Sequence, residues 1–183
     1  MIRTLATREI YRNRWMRLRE DDVEFPNGAR GIYGVVEKPD FVAVVPVDAE
    51  GRIHLVQQYR YPVAGRFWEV PQGAWEDSPD ADPEALARGE LAEETGLRAE
   101  TMIRAGQFFQ SYGYSTQICH LFVARDLTPG PTALEETESD LISASFAPAE
   151  LRAMLAGGEI RDQTTLAAFG ALLVRPEFAT LLG

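Results

Sequence analysis

The stretch "RGELAEETGL", residues 88–97, sets three carboxylates, Glu90, Glu93 and Glu94, within five consecutive positions. Its flanks are those of a helix. Asp82 can cap the start, Pro83 suits the first helical position, and Gly96 can close the end in a left-handed conformation, so a helix is predicted over 83–95. At about 100° per residue the three glutamates share an arc of roughly 100°, where like charges three and four apart repel by a few tenths of a kcal/mol. The other side carries Ala85, Gly89, Ala92 and Leu91, small residues that would let the helix backbone approach a sheet. Close packing would also account for Gly89, which costs about 1 kcal/mol against alanine in a helix interior. Convergent carboxylates suit a hard divalent cation, which takes oxygen ligands and relieves the repulsion. A solvated acidic face without a ligand is the other reading.

The rest of the chain is read outward from this helix. "FVAVVPVDAEGRIHLVQQYRYP" gives two strands around the turn "DAEGR", the first apolar throughout and therefore buried on both faces. The loop "VAGRFWEVPQGAWEDSPDAD" then leads into the helix. Downstream, "AGQFFQSY", "TQICHLFVARDL" and "LISASFAP" read as strands, "TPGPTALEETESD" as a loop, and "AELRAMLAGG" and "DQTTLAAFGALLVRP" as helices. The first 39 residues read as short strands broken by the turn "PNGARG", a small antiparallel appendage. Strands and helices mixed in this order indicate a layered α/β protein.

Composition excludes several classes. The 183 residues suit one ordinary domain with a small appendage, and no apolar run approaches the roughly 18 residues of a membrane span. The start lacks an apolar signal core, so a cytoplasmic protein is expected. A net charge of -10 and a single lysine, Lys38, argue against nucleic-acid binding, which needs clustered cations. The lone cysteine, Cys119, lies in an apolar run and reads as a buried structural thiol. His54 and His120 sit in strand-like runs and read as structural, and no Ser-His-Asp or Cys-His arrangement is apparent. Arg60 in "QQYR" offers a forked donor set for phosphate or for a surface ion pair. Trp68, Tyr112 and Tyr114 read first as core or rim aromatics and second as rings that stack on a base, and Glu69 can bind a ribose hydroxyl or hold its own loop.

With Gly73, Glu90, Leu91, Glu93, Glu94, Gly96 and Leu97 in register, the segment resembles the signature of the Nudix hydrolase family. It departs at Gly89, where the family has arginine, at Ala81, where the family has a first glutamate, and by two extra residues between Gly73 and the helix. That arginine helps orient the glutamates in the family. Arg88 lies about 100° further round and does not replace it, while Asp80, Asp82 or Glu76 can stand in for the glutamate. "LVQQYRYPV", "WEVPQG", "ALEETESD" and "GEIRDQTTLAAFGALL" follow the order of the ADP-ribose pyrophosphatase branch. The resemblance implies a Nudix-type α/β/α sandwich with a mixed sheet over residues 40–183. It also implies a dimerising β appendage over 1–39 whose partner helps complete the substrate site. It places metal ligands at Glu90 and Glu94, with Glu93 adjacent and counted also among the catalytic groups, at the Gln72 carbonyl, and at Glu138. It places the general base at Glu136, with Glu135 next. The cofactor implied is Mg²⁺, two or three ions, with Mn²⁺ as the alternative, and the substrate a nucleoside diphosphate sugar, ADP-ribose before GDP-mannose. A Nudix-fold module that binds nucleotide and hydrolyses it poorly is the competing reading.

Overall fold

The computed structural model describes residues 1–75, 78, 81–132, 134 and 139–182. Its organising strand is β4 (Phe41–Pro46), buried at every position. Alternation along it feeds two cores at once: Phe41, Ala43 and Val45 point into the larger, Val42 and Val44 into the smaller. β9 (Ile118–Pro129) runs parallel beside it and sorts its residues the same way, with Cys119, Leu121 and Val123 on one side and Phe122 and Ala124 on the other. The expectation of a strand buried on both faces is met because each face of the sheet carries its own layer. Cys119 is buried there as a free thiol, and burial pushes its pKa far up.

The central sheet is completed by β7 (Gln72–Gly73), antiparallel to β4, and β8 (Leu97–Phe109), antiparallel to β9, giving the order β7-β4-β9-β8. A second sheet, β10-β5-β6, is formed by β5 (Ile53–Arg60), β6 (Gly65–Glu69) and β10 (Ile142–Phe146). The larger core lies among the two sheets, α2 (Pro148–Gly157) and α3 (Gln163–Leu173), with Ile53, Leu55, Leu151, Phe169 and Leu172 at its centre. The smaller core joins the central sheet to α1 (Pro83–Thr95). The result is the mixed α/β sandwich anticipated from the order of elements. Among the described residues, no helix is long and apolar enough to cross a membrane.

Residues before the sandwich form a separate three-stranded antiparallel sheet of β1 (Arg3–Arg12), β2 (Arg17–Glu24) and β3 (Arg30–Glu37). Every residue of β1 is exposed. Charges interlock this sheet: Arg17 bonds both Glu9 and Glu37, and Arg19 bonds Glu37 and Asp21. Its far end is tied to the sandwich by Val36, whose N–H donates to the Tyr114 carbonyl at 2.7 Å and whose carbonyl accepts from Thr116 at 3.2 Å. The three residues Lys38–Asp40 connect it to β4.

Helix α1 starts and stops where the sequence indicates. The Asp82 side chain accepts the Ala85 N–H at 3.1 Å, and Gly96 closes the helix at φ 71°. Its buried face keeps Leu91, as expected, but is turned away from the expected alanines. Leu86, Ala87 and Leu91 pack on the sheet, while Ala85 is exposed and Gly89 and Ala92 lie at intermediate depth. By helical geometry, Glu90 and Glu94 fall inside the arc bounded by Leu86 and Leu91, so the helix that buries its leucines buries two carboxylates with them. Replacing the cap, Asp82→Ala, is expected to lower unfolding free energy by about 1 kcal/mol in urea titration; an unchanged midpoint would show that the cap bond contributes nothing.

Candidate functional site

Glu90 and Glu94 are 7% and 2% exposed. Burying carboxylates is costly unless something holds them, and both meet the short strand β7. The Gln72 N–H donates to Glu94 Oε2 at 3.1 Å. Gly73 lies against the other carboxylate so closely that an added Cβ would sit 2.5 Å from Glu90 Oε1 and Cδ. Any side chain at 73 would displace that carboxylate, which is why "PQG" needs its glycine. One residue back along α1, an added Cβ on Gly89 would sit 2.5 Å from Trp75 Cζ2. Gly89 therefore makes room for an indole, whereas the sequence had it making room for a sheet.

This junction forms one wall of a cavity of about 740 Å³ that is also lined by Arg60, Glu69, Glu93 and Asp162. On the opposite wall Glu69, 2% exposed, receives Arg60 Nε on Oε2 at 3.3 Å and Gln58 Nε2 on Oε1 at 3.4 Å, and Arg60 Nη2 also bonds Oε1. Burial raises the Glu69 pKa above the ordinary carboxylate value; Arg60 opposes the shift and the charge of Asp162 adds to it. Strand alternation in β6 turns Phe67 and Glu69 to the cavity and Trp68 away from it. Trp68 packs edge-on against Phe146, ring centroids 4.9 Å apart, at the margin of the larger core. Tyr112 and Tyr114 are exposed and do not line this cavity. Of the substrate-facing residues proposed from sequence, Arg60 and Glu69 are thus brought to the cavity and Trp68 and Tyr112 are not.

Several lining residues escape sequence reading. Asp162 caps α3, accepting the Thr165 N–H and Oγ1–H on Oδ2, each at 2.7 Å, and it also accepts Gln72 Nε2 at 3.2 Å. Thr165 Oγ1 in turn accepts the Val70 N–H at 3.0 Å. The start of α3 is thereby stitched to the segment that carries Gln72. Arg161, Gln110, Gln117, Lys38 and Trp15 line the cavity from four different parts of the chain. Arg161 lies over the Phe67 ring, 5.7 Å from its centroid. The helix-start pattern of Asp162 ahead of "QTT" was a readable signal; the others come together through tertiary folding alone.

The side chains that meet β7 present carboxylate oxygens, the chemistry a hard cation takes. The cradle at Gly73, which a Cβ would fill, keeps Glu90 against the backbone. Among the described residues, no group of three His, Cys, Asp or Glu side chains stands close enough together to hold a metal ion. Glu135, Glu136 and Glu138, together with Glu76 and Asp80, lie outside the described residues. His54 bonds Asp48 at 3.2 Å and His120 stands 3.6 Å from Asp40.

Residues 2–36 match the family model described as nucleoside diphosphate sugar hydrolase N-terminal domain, and residues 37–169 match that of the NUDIX domain. A methanol dehydrogenase activator from Bacillus methanolicus is 36% identical over 140 residues, covering 76% of this chain and 75% of that protein. An ADP-ribose pyrophosphatase from Bacillus subtilis (strain 168) is 36% identical over 126 residues, covering 69% of this chain and 67% of that protein. Among solved structures, an ADP compounds hydrolase superposes with a TM-score of 0.81 at 20% identity, covering 93% of this chain and 91% of that one, a likeness of fold.

Glu69 provides a test by pH. Because its pKa is raised in the native state, the folded protein holds this proton more tightly than the unfolded chain does. Its contribution to stability is therefore greatest at low pH and is lost as pH rises from the ordinary carboxylate range through the raised value. The stability of the native protein relative to Glu69→Gln, measured in urea, should fall across that window. A difference independent of pH would rule out a buried Glu69 with a raised pKa.

Proposed function

Because the chain belongs to the Nudix family, we propose that it is a Mg²⁺-dependent pyrophosphohydrolase of nucleoside diphosphate sugars, with ADP-ribose as first substrate and AMP and ribose 5-phosphate as products. The observation that carries the reading is the convergence of two buried carboxylates on one glycine turn, at the wall of a cavity large enough for a nucleotide. GDP-mannose is the next substrate in order. Mn²⁺ is the alternative ion, and the cytoplasm the expected compartment.

Glu90, Glu94, Glu93, the Gln72 carbonyl and Glu138 are the groups assigned to hold the metal. When bound, the cation neutralises diphosphate oxygens and so lowers the barrier to an incoming nucleophile. The remaining steps fall to the chain. Glu136, or Glu135 beside it, takes the proton from water as it attacks phosphorus. Arg60 presents its guanidinium to the phosphates. Its fork is held by Glu69, which accepts from both Nε and Nη2 and leaves the rest of the guanidinium partly exposed on the cavity wall. Glu69 thereby braces Arg60, a role distinct from the two that its sequence position suggests.

Residues 1–39 are proposed to dimerise the protein and residues 40–183 to form the hydrolase. Support for the first comes from β1, exposed along its length with Leu5, Ile10 and Tyr11 outward, and from Trp15, which reaches the cavity from the same sheet. A second reading, nucleotide binding with little hydrolysis, is favoured by the two departures from the family pattern at Gly89 and Ala81.

A panel of nucleotide sugars with and without Mg²⁺, assayed for released monophosphate and for ligand-induced thermal shift, separates the two. Hydrolysis requires metal-dependent turnover that Glu94→Gln lowers by about 100-fold or more. Thermal shifts without turnover support the second reading. Within the panel, Glu136→Gln should lower kcat by about 10²- to 10⁴-fold with KM little changed, whereas a full rate for that variant would remove the base assignment. Sedimentation of the intact chain as a monomer would remove the dimer.

A further inference from the structure

Three contacts tie the segment 72–75 to α1, and they follow one another along the helix. The Gln72 N–H holds Glu94, Gly73 abuts Glu90, and the Trp75 ring covers Gly89. As the segment advances from 72 to 75, its helix partners retreat from 94 to 89. The first two contacts hold the carboxylates themselves. The third holds none, yet it is the one at which the helix gives up a side chain in its interior, where glycine disfavours the helical backbone.

The Trp75 ring leaves no room there. An added Cβ on Gly89 would lie 2.5 Å from Cζ2 and 3.3 Å from Cη2, both atoms of a rigid plate that cannot fold aside as a long flexible chain does. The ring is also braced from behind, packed against the small core of Val42, Val44, Leu86 and Leu91 that joins α1 to the central sheet. A side chain at 89 and the indole at 75 therefore exclude each other. The departure from the family pattern at Gly89 and the tryptophan two residues past the glycine turn are two halves of one arrangement.

We propose that Trp75, seated on Gly89, is a positioning residue of the metal centre, fixing the distance between the Gln72–Gly73 backbone and the carboxylates of Glu90 and Glu94. The inference rests on the reading of this junction as a divalent-cation site. Trp75 touches neither substrate nor metal; it sets the register of the strand on the helix, and the oxygen donors take their spacing from that register.

The test uses the full chain and Mn²⁺ as the probe, with affinity read by electron paramagnetic resonance and folding by thermal unfolding without metal. Gly89→Ala should weaken Mn²⁺ binding by about 10-fold or more, and it should lower the metal-free Tm although alanine is the better helix former. Trp75→Phe, which removes the part of the ring over position 89, should weaken binding less. The double variant Gly89→Ala with Trp75→Phe should recover affinity to within a few-fold of the native protein, a non-additivity expected only of residues in contact. A Gly89→Ala protein with lowered Tm and native Mn²⁺ affinity would reduce Trp75 to a packing role and overturn the proposal. So would a double variant that folds yet binds no better than Gly89→Ala. If Gly89→Ala does not fold, the double variant decides: native-like affinity supports the proposal and weak affinity overturns it. A native protein that binds Mn²⁺ without hydrolysing any nucleotide sugar sinks only the hydrolase reading, because the variant series still stands on affinity. One that binds no Mn²⁺ sinks both.

Discussion

Two acidic side chains lie in the middle of the stripe by which a helix packs on its sheet, and the structure is arranged around making that tolerable. Leu86 and Leu91 oblige α1 to turn this face inward, and Glu90 and Glu94 have no choice but to follow. A buried carboxylate needs donors or counter-charge. The Gln72 N–H is one such donor to Glu94, and Gly73, lacking a side chain, leaves the room in which Glu90 lies against the backbone. Apolar packing thus delivers charge to a fixed place, and the backbone receives it.

The rest of the cavity is assembled by similar coupling between elements that are distant in sequence. Asp162 caps α3 and at the same time anchors the Gln72 side chain; Thr165 receives the Val70 N–H. The segment from 70 to 73 is consequently held by α1 on one side and α3 on the other. Arg60 and Glu69 form the facing wall as a partly buried pair whose acid is disfavoured by burial and sustained by its arginine. Removing one partner of such a pair leaves the other uncompensated.

How much of this could be read from sequence depended on whether the signal was local. The helix over 83–95, with its aspartate, proline and glycine, is marked by residues that act on their own backbone, and the structure reproduces it. Phe41–Pro46 could be recognised as doubly buried because a strand with no polar alternation has no face to offer to water. The sequence places Leu91 on the buried face of α1 but not the glutamates beside it, because Leu86 and Ala87 on their other flank shift the apolar stripe, and apolar area decides which face goes in. Trp68, open in the sequence to a stacking or a core role, takes the core one, because the two-residue period of β6 sends Phe67 and Glu69 to the cavity and Trp68 to the core margin. Lys38, Gln110, Gln117 and Arg161 carried no local mark at all, since their shared address exists only once the sheets are stacked.

The solitary lysine has a practical side. Lys38 is the only side-chain amine in the chain, and it borders the cavity from the three-residue bridge between the N-terminal sheet and β4. Reagents that elsewhere decorate a protein surface indiscriminately would here find a single lysine address, beside the pocket and at the joint between two sheets. A fluorophore attached there would report occupancy of the cavity from a position that no other lysine shares.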